Sequence, residues 1–305
     1  MKYFAALLLS AILFVACGDE SSSSAPAVIL DEDLSSSSVT PESSSSSVIP
    51  GSDLESGSSK VPDKVGDHVE QSSSATLEVD NGWNVPKESR LNPDITYGTM
   101  TDSRDGQTYK TVTIGDQVWM AENLNYADRV KTPSLLKRSW CGGGLNWSEG
   151  NCAIFGRLYT WAAAIDSVAL YDGGNGVDCG YGKKICMLPA KVQGICPEGW
   201  HLPTETEWKT LFDEVGGYSS AGKVLKSQTG WNNNENGSDA VGFAALPAGS
   251  RGSVGYFFDN NAKFWSATQY SDIYACCMYF DYNGSAARLG HKDENDGFSV
   301  RCLKD

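Results

Sequence analysis

Residues 196–211 read CPEGWHLPTETEWKTL and contain the clearest helix start in the chain. Thr204 stands directly before an apolar run and Glu207 follows it three residues later, which is the spacing of a capping box at a helix start. The apolar positions that follow have helical spacing, and they are Trp208, Leu211, Phe212 and Val215. A glycine pair at 216–217 ends the pattern. The segment therefore predicts a capped amphipathic helix whose tryptophan enters the core.

Outside this helix the chain alternates between short strand-like and helix-like segments. Residues 109–119 alternate in polarity around Gly115-Asp116, which predicts a β-hairpin. Residues 156–165 carry apolar side chains at helical spacing and predict a short buried helix. Further short strands are expected at 242–246, 263–268, 274–282 and 297–303. This order favours the α+β class: a strand comes first, helices follow, and many short strands joined by glycine- and asparagine-rich loops come last.

Several of these segments together resemble a known family. They are residues 105–126, 156–164, 196–211, 242–249, 264–268 and 298–302, and they resemble the Fibrobacter succinogenes major paralogous domain. Residues 202–208, LPTETEW, are also similar to the LPTEAEW motif of formylglycine-generating enzymes. That similarity implies a C-type-lectin-like domain with short strands, two or three short helices and long loops. In such folds the motif is structural, so we take from it a fold and no activity.

The cysteines predict a disulfide-stapled domain. There are nine, and setting Cys17 aside leaves an even number, which favours disulfides in an exported protein. Proximity along the chain suggests two pairs, Cys141–Cys152 and Cys179–Cys186. The lectin-like resemblance implies a third pair, Cys196–Cys302.

Two neighbouring cysteines, Cys276 and Cys277, are left over. Neighbours in a strand point to opposite faces, so this pair does not bond easily. They could form a strained vicinal disulfide, stay reduced, or show that another pairing is wrong. A zinc site is a poor interpretation, because the chain has no CxxC pair and only three histidines.

The first residues predict export and a lipid anchor. Residues 1–17 combine a lysine, a short apolar run and Cys17, which is typical of a secretory signal, and the run is shorter than the roughly 20 residues that span a bilayer. Residues 14–17, FVAC, resemble a bacterial lipobox, so Cys17 is expected to carry acyl chains; the alternative is a plain signal peptide. Gly18 rather than Asp follows the cysteine, which favours the outer membrane. The acidic Asp19-Glu20 and the serines after it suit display at the cell surface.

Composition divides the remaining chain into a tether and a folded domain. Residues 18–89 are rich in serine and poor in aromatics, so they cannot bury enough surface to offset their ordering entropy. We expect a disordered tether there and the folded domain at 90–305. The formal net charge of −14 argues against a nucleic-acid partner, because phosphate binding needs clustered Lys and Arg.

The sequence favours a non-catalytic domain. Only His201 and His291 are candidate bases in the folded part, and His201 lies inside the structural motif. The chain has no G-x-S-x-G elbow and no glycine-rich phosphate loop. Cys276-Cys277 does not have the cysteine spacing of formylglycine-generating enzymes, so that activity is not carried over. We expect no cofactor.

A candidate ligand loop is the asparagine-rich segment 231–239, WNNNENGSD. Its candidate contacts are Trp231, Asn232, Asn234, Asn236 and Asp239. The front of this segment fits a calcium loop, but Phe243 stands where the closing Glu would be, so the EF-hand pattern fails. A second acidic cluster lies at 293–296, and calcium stays a candidate ligand, with solvated turns as the alternative. Aromatic residues for a sugar site are expected in loops at Trp231, Tyr256, Phe257 and Tyr270.

These observations point to a surface-displayed recognition or adhesion lipoprotein. Its expected partners are the membrane, through the lipid, and a polysaccharide or another surface protein. Two alternatives remain: an enzyme on a formylglycine-generating-like fold, and a purely structural envelope protein.

Overall fold

Short helices and short strands alternate along the part of the chain that the structure describes, which confirms the α+β class. The structure is a computed structural model that describes residues 87–143, 150–175, 179–232, 235–255, 257–258 and 260–305. Cys17, the rest of the signal segment and most of the expected tether lie outside these residues. Within the described residues, no helix is both long and apolar enough to cross a membrane.

The first sheet joins the predicted hairpin to the end of the chain. Its strands are β1 (Gly98–Thr101), β2 (Thr108–Ile114), β3 (Gln117–Met120), β6 (Trp200–His201) and β13 (Leu303–Lys304). β2 and β3 pair antiparallel with Ile114 opposite Gln117, which confirms the hairpin and its turn. β13 lies between β3 and β6, so the last residues complete this sheet.

The second sheet is larger and contains the strands that the site uses. Its strands are β4 (Ser139–Cys141), β5 (Arg157–Tyr159), β9 (Ala262–Gln269), β10 (Tyr274–Phe280), β11 (Ala287–Asp293) and β12 (Phe298–Ser299). In space they run β11-β10-β9-β12-β5-β4, and β12 lies parallel to β9. A separate ribbon pairs β7 (Ser250–Arg251) with β8 (Phe257–Phe258). The strands expected at 263–268 and 274–282 are confirmed as β9 and β10, whereas β11 was not predicted.

The part of the chain that the structure describes contains more helices than the two or three that were expected. They are α1 (Cys152–Phe155), α2 (Trp161–Ala164), α3 (Ser167–Leu170), α4 (Glu205–Glu214) and α5 (Tyr218–Leu225). Short 3-10 turns lie at Lys87–Arg90 and Pro133–Leu135, and a π-type turn lies at Tyr171–Asn175. Only α4 and α5 are longer than about one turn, which is why the sequence pattern shows so few of them.

The predicted helix at 156–165 is wrong in its first half. Residues 157–159 form β5, and α2 starts only after Thr160, whose hydroxyl accepts a hydrogen bond from the Ala163 N–H. Leu158 and Trp161 are both buried, one in the strand and one in the helix. Because both elements bury apolar side chains, the periodicity of a short apolar run cannot distinguish them.

Two predicted strands are also corrected. Residues 242–246 form no strand, because Gly242 and Ala244 have positive φ angles of 74° and 50°, far from extended backbone. The segment 297–303 is divided between β12 in the second sheet and β13 in the first. All residues of this segment are buried, including the polar Ser299 and Arg301, because the chain crosses from one sheet to the other here.

The capped helix α4 has the structure that its sequence predicts. The Thr204 hydroxyl accepts from the Glu207 N–H at 3.2 Å, and the Glu207 carboxylate accepts from the Thr204 N–H at 2.8 Å. Trp208 is fully buried, with its ring centroid 4.6 Å from that of Trp119 and 5.8 Å from that of Phe264. The motif therefore serves the core, as expected.

A buried arginine connects the core to the loops around it. The guanidinium of Arg301 donates hydrogen bonds to the backbone carbonyls of Met120, Phe243 and Ala244 and to the Asn123 side chain. Three carbonyls and an amide oxygen satisfy a cation that would otherwise be costly to bury. This structural role of Arg301 was not predicted.

The structure contains the three expected disulfides, Cys141–Cys152, Cys179–Cys186 and Cys196–Cys302. Their Cα atoms are 4.5 to 5.8 Å apart. Cys277 is free and buried, so Cys276 and Cys277 do not form a vicinal disulfide.

Candidate functional site

The asparagine-rich loop is packed into the fold rather than held out to solvent. Trp231 is only 5% exposed, and its indole N–H donates to the Ser227 hydroxyl at 3.1 Å and to the Ala245 carbonyl at 3.0 Å. The Lys226 ammonium lies 4.2 Å from the ring centroid. The expectation that Trp231 is an exposed ligand contact is therefore wrong, because its ring is buried and its one donor is satisfied.

The other described members of this loop maintain its shape. The Asn236 side-chain oxygen accepts from the Trp231 N–H at 2.9 Å, and the exposed Asn232 accepts a backbone hydrogen bond through its carbonyl. Asp239 is buried and accepts from the Ala244 N–H at 2.7 Å. Burial raises the pKa of Asp239 to about 7, although its hydrogen bonds and the nearby Arg301 act in the opposite direction. Asn234 lies outside the described residues.

The acidic cluster at the end of β11 also serves local structure. Asp293 accepts from the backbone two residues further on, and Asp296 accepts from the Ser253 N–H at 2.9 Å. Glu294 is buried and accepts from the Gln269 amide at 2.8 Å. Across the described ranges, no group of three or more His, Cys, Asp or Glu side chains is placed to hold a metal ion. The arrangement gives no support to a calcium site here.

Both candidate histidines are engaged in packing or hydrogen bonds. His201 is buried, with Nδ1 2.7 Å from an Asp305 carboxylate oxygen and Nε2 2.9 Å from a Glu207 carboxylate oxygen. This links the capped helix to the chain end, which is the structural role expected of His201. His291 stacks on Tyr270 with a centroid distance of 4.1 Å. Tyr270 is 42% exposed, but one face of its ring is already covered.

An open groove of about 420 Å³ lies where β4, β7 and the disulfide-closed loop 179–186 meet. We call it the basic groove. Its lining is residues 136–138, Trp140, Thr160, Ala162, residues 179–181, Lys183, Arg251, Ser253 and Asn295. The volume lies within the range of ordinary small-ligand sites, which are about 300–1,000 Å³. Among the described residues, this is the feature that most resembles a binding site.

Two walls of the basic groove are held in place by the fold. On one side, the Arg251 guanidinium lies 3.8 Å from the centroid of the Trp140 ring. Arg251 is on β7 and Trp140 is on β4, so the strand backbones hold this contact in place. On the other side, the Gly182 N–H donates to the Asp272 carbonyl at 2.7 Å, which ties the disulfide-closed loop to the β9–β10 connection.

The groove can hold a ligand by stacking and by charge. Tyr181 is 45% exposed and Trp140 is half-buried, so both offer aromatic surface to a ligand. Lys137, Arg138 and Lys183 are exposed cations at its edge. None of the groove residues was singled out as a ligand contact from sequence. The signal that could have found them is the pairing of a basic dipeptide with a nearby aromatic, Lys137-Arg138 with Trp140.

The described residues form a disulfide-containing α+β domain with the basic groove on it. The chain belongs to the family of the Fibrobacter succinogenes major domain, whose model matches residues 112–304. No curated protein and no solved structure matches the chain.

Proposed function

We propose that the protein is a surface-displayed, non-catalytic recognition or adhesion lipoprotein that binds polysaccharide in the basic groove. The observation that carries this proposal is the groove itself, which is lined by the exposed Tyr181 ring and by the half-buried Trp140 ring, one face of which Arg251 covers. Aromatic side chains supply rigid, amphipathic contact area, which suits the flat apolar faces of sugar rings.

The cellular setting is part of the same proposal. The signal segment and Cys17 support a lipid anchor in the outer membrane, and the serine-rich residues that precede the turn at Lys87–Arg90 support a tether that displays the domain at the cell surface. A flexible coil of about 70 residues would reach on the order of 45 Å. That reach would carry the groove beyond the membrane surface, where a polymer is accessible.

We also propose that the fold is C-type-lectin-like. The support is the motif at 202–208, which caps α4 and buries Trp208, together with the Cys196–Cys302 disulfide that the resemblance implied. An enzyme on this fold is the less favoured alternative. Cys277 is free but completely buried, and burial raises the pKa of its thiol to about 12, so it is a poor nucleophile.

A glycan-array screen of the full-length exported protein, with and without calcium, tests the function. We expect binding to a polysaccharide that does not depend on calcium. Tyr181→Ala and Trp140→Ala should each weaken that binding by about tenfold or more, as truncation of a central aromatic contact does.

The matched control is Tyr282→Ala. Tyr282 is 38% exposed and follows the end of β10. Tyr181 instead precedes Gly182, whose N–H donates to the Asp272 carbonyl just before β10 begins. Removal of the Tyr282 ring should leave binding unchanged. If no polysaccharide binds, the recognition proposal fails, and a structural role in the envelope becomes the better account.

A further inference from the structure

We infer that the polymer bound in the basic groove is an acidic polysaccharide whose sugars carry carboxylates. This inference rests on the proposed function, because it names the class of ligand for the same groove. It starts from the charge of the lining side chains.

Four cations line the groove: Lys137, Arg138, Lys183 and Arg251. Among the described residues that line the groove, none is an Asp or Glu. The chain as a whole has a net charge of −14, with 38 acidic and 24 basic residues. A cluster of cations on an acidic chain is therefore a specific feature of this groove and attracts anions to it.

Three of these cations are available to a ligand. None of the ion pairs between described residues includes Lys137, Arg138 or Arg251. Arg138 has a long contact of 3.4 Å to the Ser167 hydroxyl, which is weak for a guanidinium donor. A cation beside a low-dielectric protein surface attracts an anion more strongly than it would in bulk water. An anionic ligand would use this attraction, and a neutral ligand would not.

Arg251 is the lining cation best suited to a carboxylate. Its guanidinium carbon lies 3.8 Å from the centroid of the Trp140 ring, and this contact limits the movement of the side chain. A fixed planar guanidinium can donate two parallel N–H groups to one carboxylate, a geometry that a lysine cannot provide. Trp140 thus positions the cation and lies beside the place where the sugar ring would stack.

A polysaccharide fits the groove better than an acidic protein segment does. The groove lining combines cations with two aromatic residues, Trp140 and Tyr181. Rings and charges on one surface match a polymer in which each unit has a flat face and one carboxylate. An acidic peptide offers the charge without a regular series of flat faces, so it is the competing ligand in the experiment.

The experiment measures binding of the full-length protein to three polymers by affinity electrophoresis. They are polygalacturonate, its methyl ester, and poly-glutamate. We expect polygalacturonate to bind, the methyl ester to bind about tenfold or more weakly, and binding to weaken with added salt. The double variant Lys137→Gln/Arg138→Gln should lose about tenfold or more in affinity for polygalacturonate with an unchanged melting temperature.

The matched control is Lys223→Gln. Lys223 is an exposed lysine on α5, whose N–H contacts the Ser285 carbonyl between β10 and β11, at the far end of that hairpin. The Lys223→Gln variant should bind polygalacturonate as tightly as the unaltered protein does. Equal binding of the methyl ester overturns the inference but leaves the proposed function standing. Binding of poly-glutamate alone overturns it in favour of an acidic protein partner, and binding of neutral polysaccharides alone also overturns it.

Discussion

The substitution Trp231→Ala separates the two places where a ligand could bind. Trp231 is 5% exposed, donates hydrogen bonds to Ser227 and Ala245, and lies against the Lys226 ammonium. The Ala245 carbonyl also accepts from the Ser227 N–H, so it keeps a partner when the indole is removed. The main cost is therefore the cavity left by the ring, about 3–5 kcal/mol for Trp→Ala in a core.

That cost is large enough to measure directly. For a domain of this size about 1 kcal/mol shifts the melting temperature by roughly 2–4 °C, so Trp231→Ala should lower it by about 6–20 °C. Trp231→Phe keeps most of the packing and loses only the indole hydrogen bonds, so its shift should be smaller. Differential scanning calorimetry of the full-length variants gives the values.

Affinity measured below the transition completes the test. We expect Trp231→Ala to keep its polysaccharide affinity while it is folded. The reasoning is refuted if the melting curve does not move and binding is lost, because that result would place the ligand in the asparagine-rich loop.

Three further predictions concern the anchor, the longest disulfide and the pH dependence. Cys17→Ser should move the protein from the membrane fraction to the soluble fraction, and an unchanged membrane level would exclude the anchor. Peptide mapping without reductant should recover Cys196 linked to Cys302, whose sequence separation is 106, and loss of that link should cost on the order of 4–5 kcal/mol. The folded pKa of Asp239 is raised by burial from 3.8 to about 7, so the folded state binds the proton more tightly and stability should fall as pH rises from about 4 to about 7. Asp239→Asn should flatten that part of the profile in thermal melts, and an identical slope would contradict the assignment.

The part of the fold that the sequence predicts well depends on local signals. The capping box of Thr204 and Glu207 acts within one helical turn, and the hairpin turn at Gly115-Asp116 acts within four residues. The structure confirms the helix start and the hairpin, because tertiary contacts favour the same local conformations that the sequence favours. The disulfide Cys196–Cys302 is different, since a family resemblance and no local signal suggested it.

The errors occur where burial, and not local periodicity, determines the structure. Leu158 and Trp161 are equally buried, yet one is in a strand and the other in a helix. Trp231 follows a glycine and precedes a run of asparagines, which is typical of an exposed loop, but its ring is part of the core. No pattern within the loop could show that Ser227 and Ala245 lie ready to accept its indole N–H.

The candidate site was missed because it is assembled from distant segments. Lys137, Arg138 and Trp140 are more than a hundred residues from Arg251 in sequence, and the loop that carries Tyr181 is positioned by a disulfide. No single one of these segments has a sequence pattern typical of a binding site. Only the order of strands in the second sheet and the β7 ribbon brings them together.

Hydrogen–deuterium exchange of the full-length protein, with and without a saturating acidic polysaccharide, locates the bound ligand without any substitution. Slower exchange of an amide reports that its backbone opens less often. We predict slower exchange at residues 136–140, 179–183 and 251–253, and unchanged exchange at residues 228–240. Protection confined to residues 228–240, with the groove segments unaffected, would contradict the account.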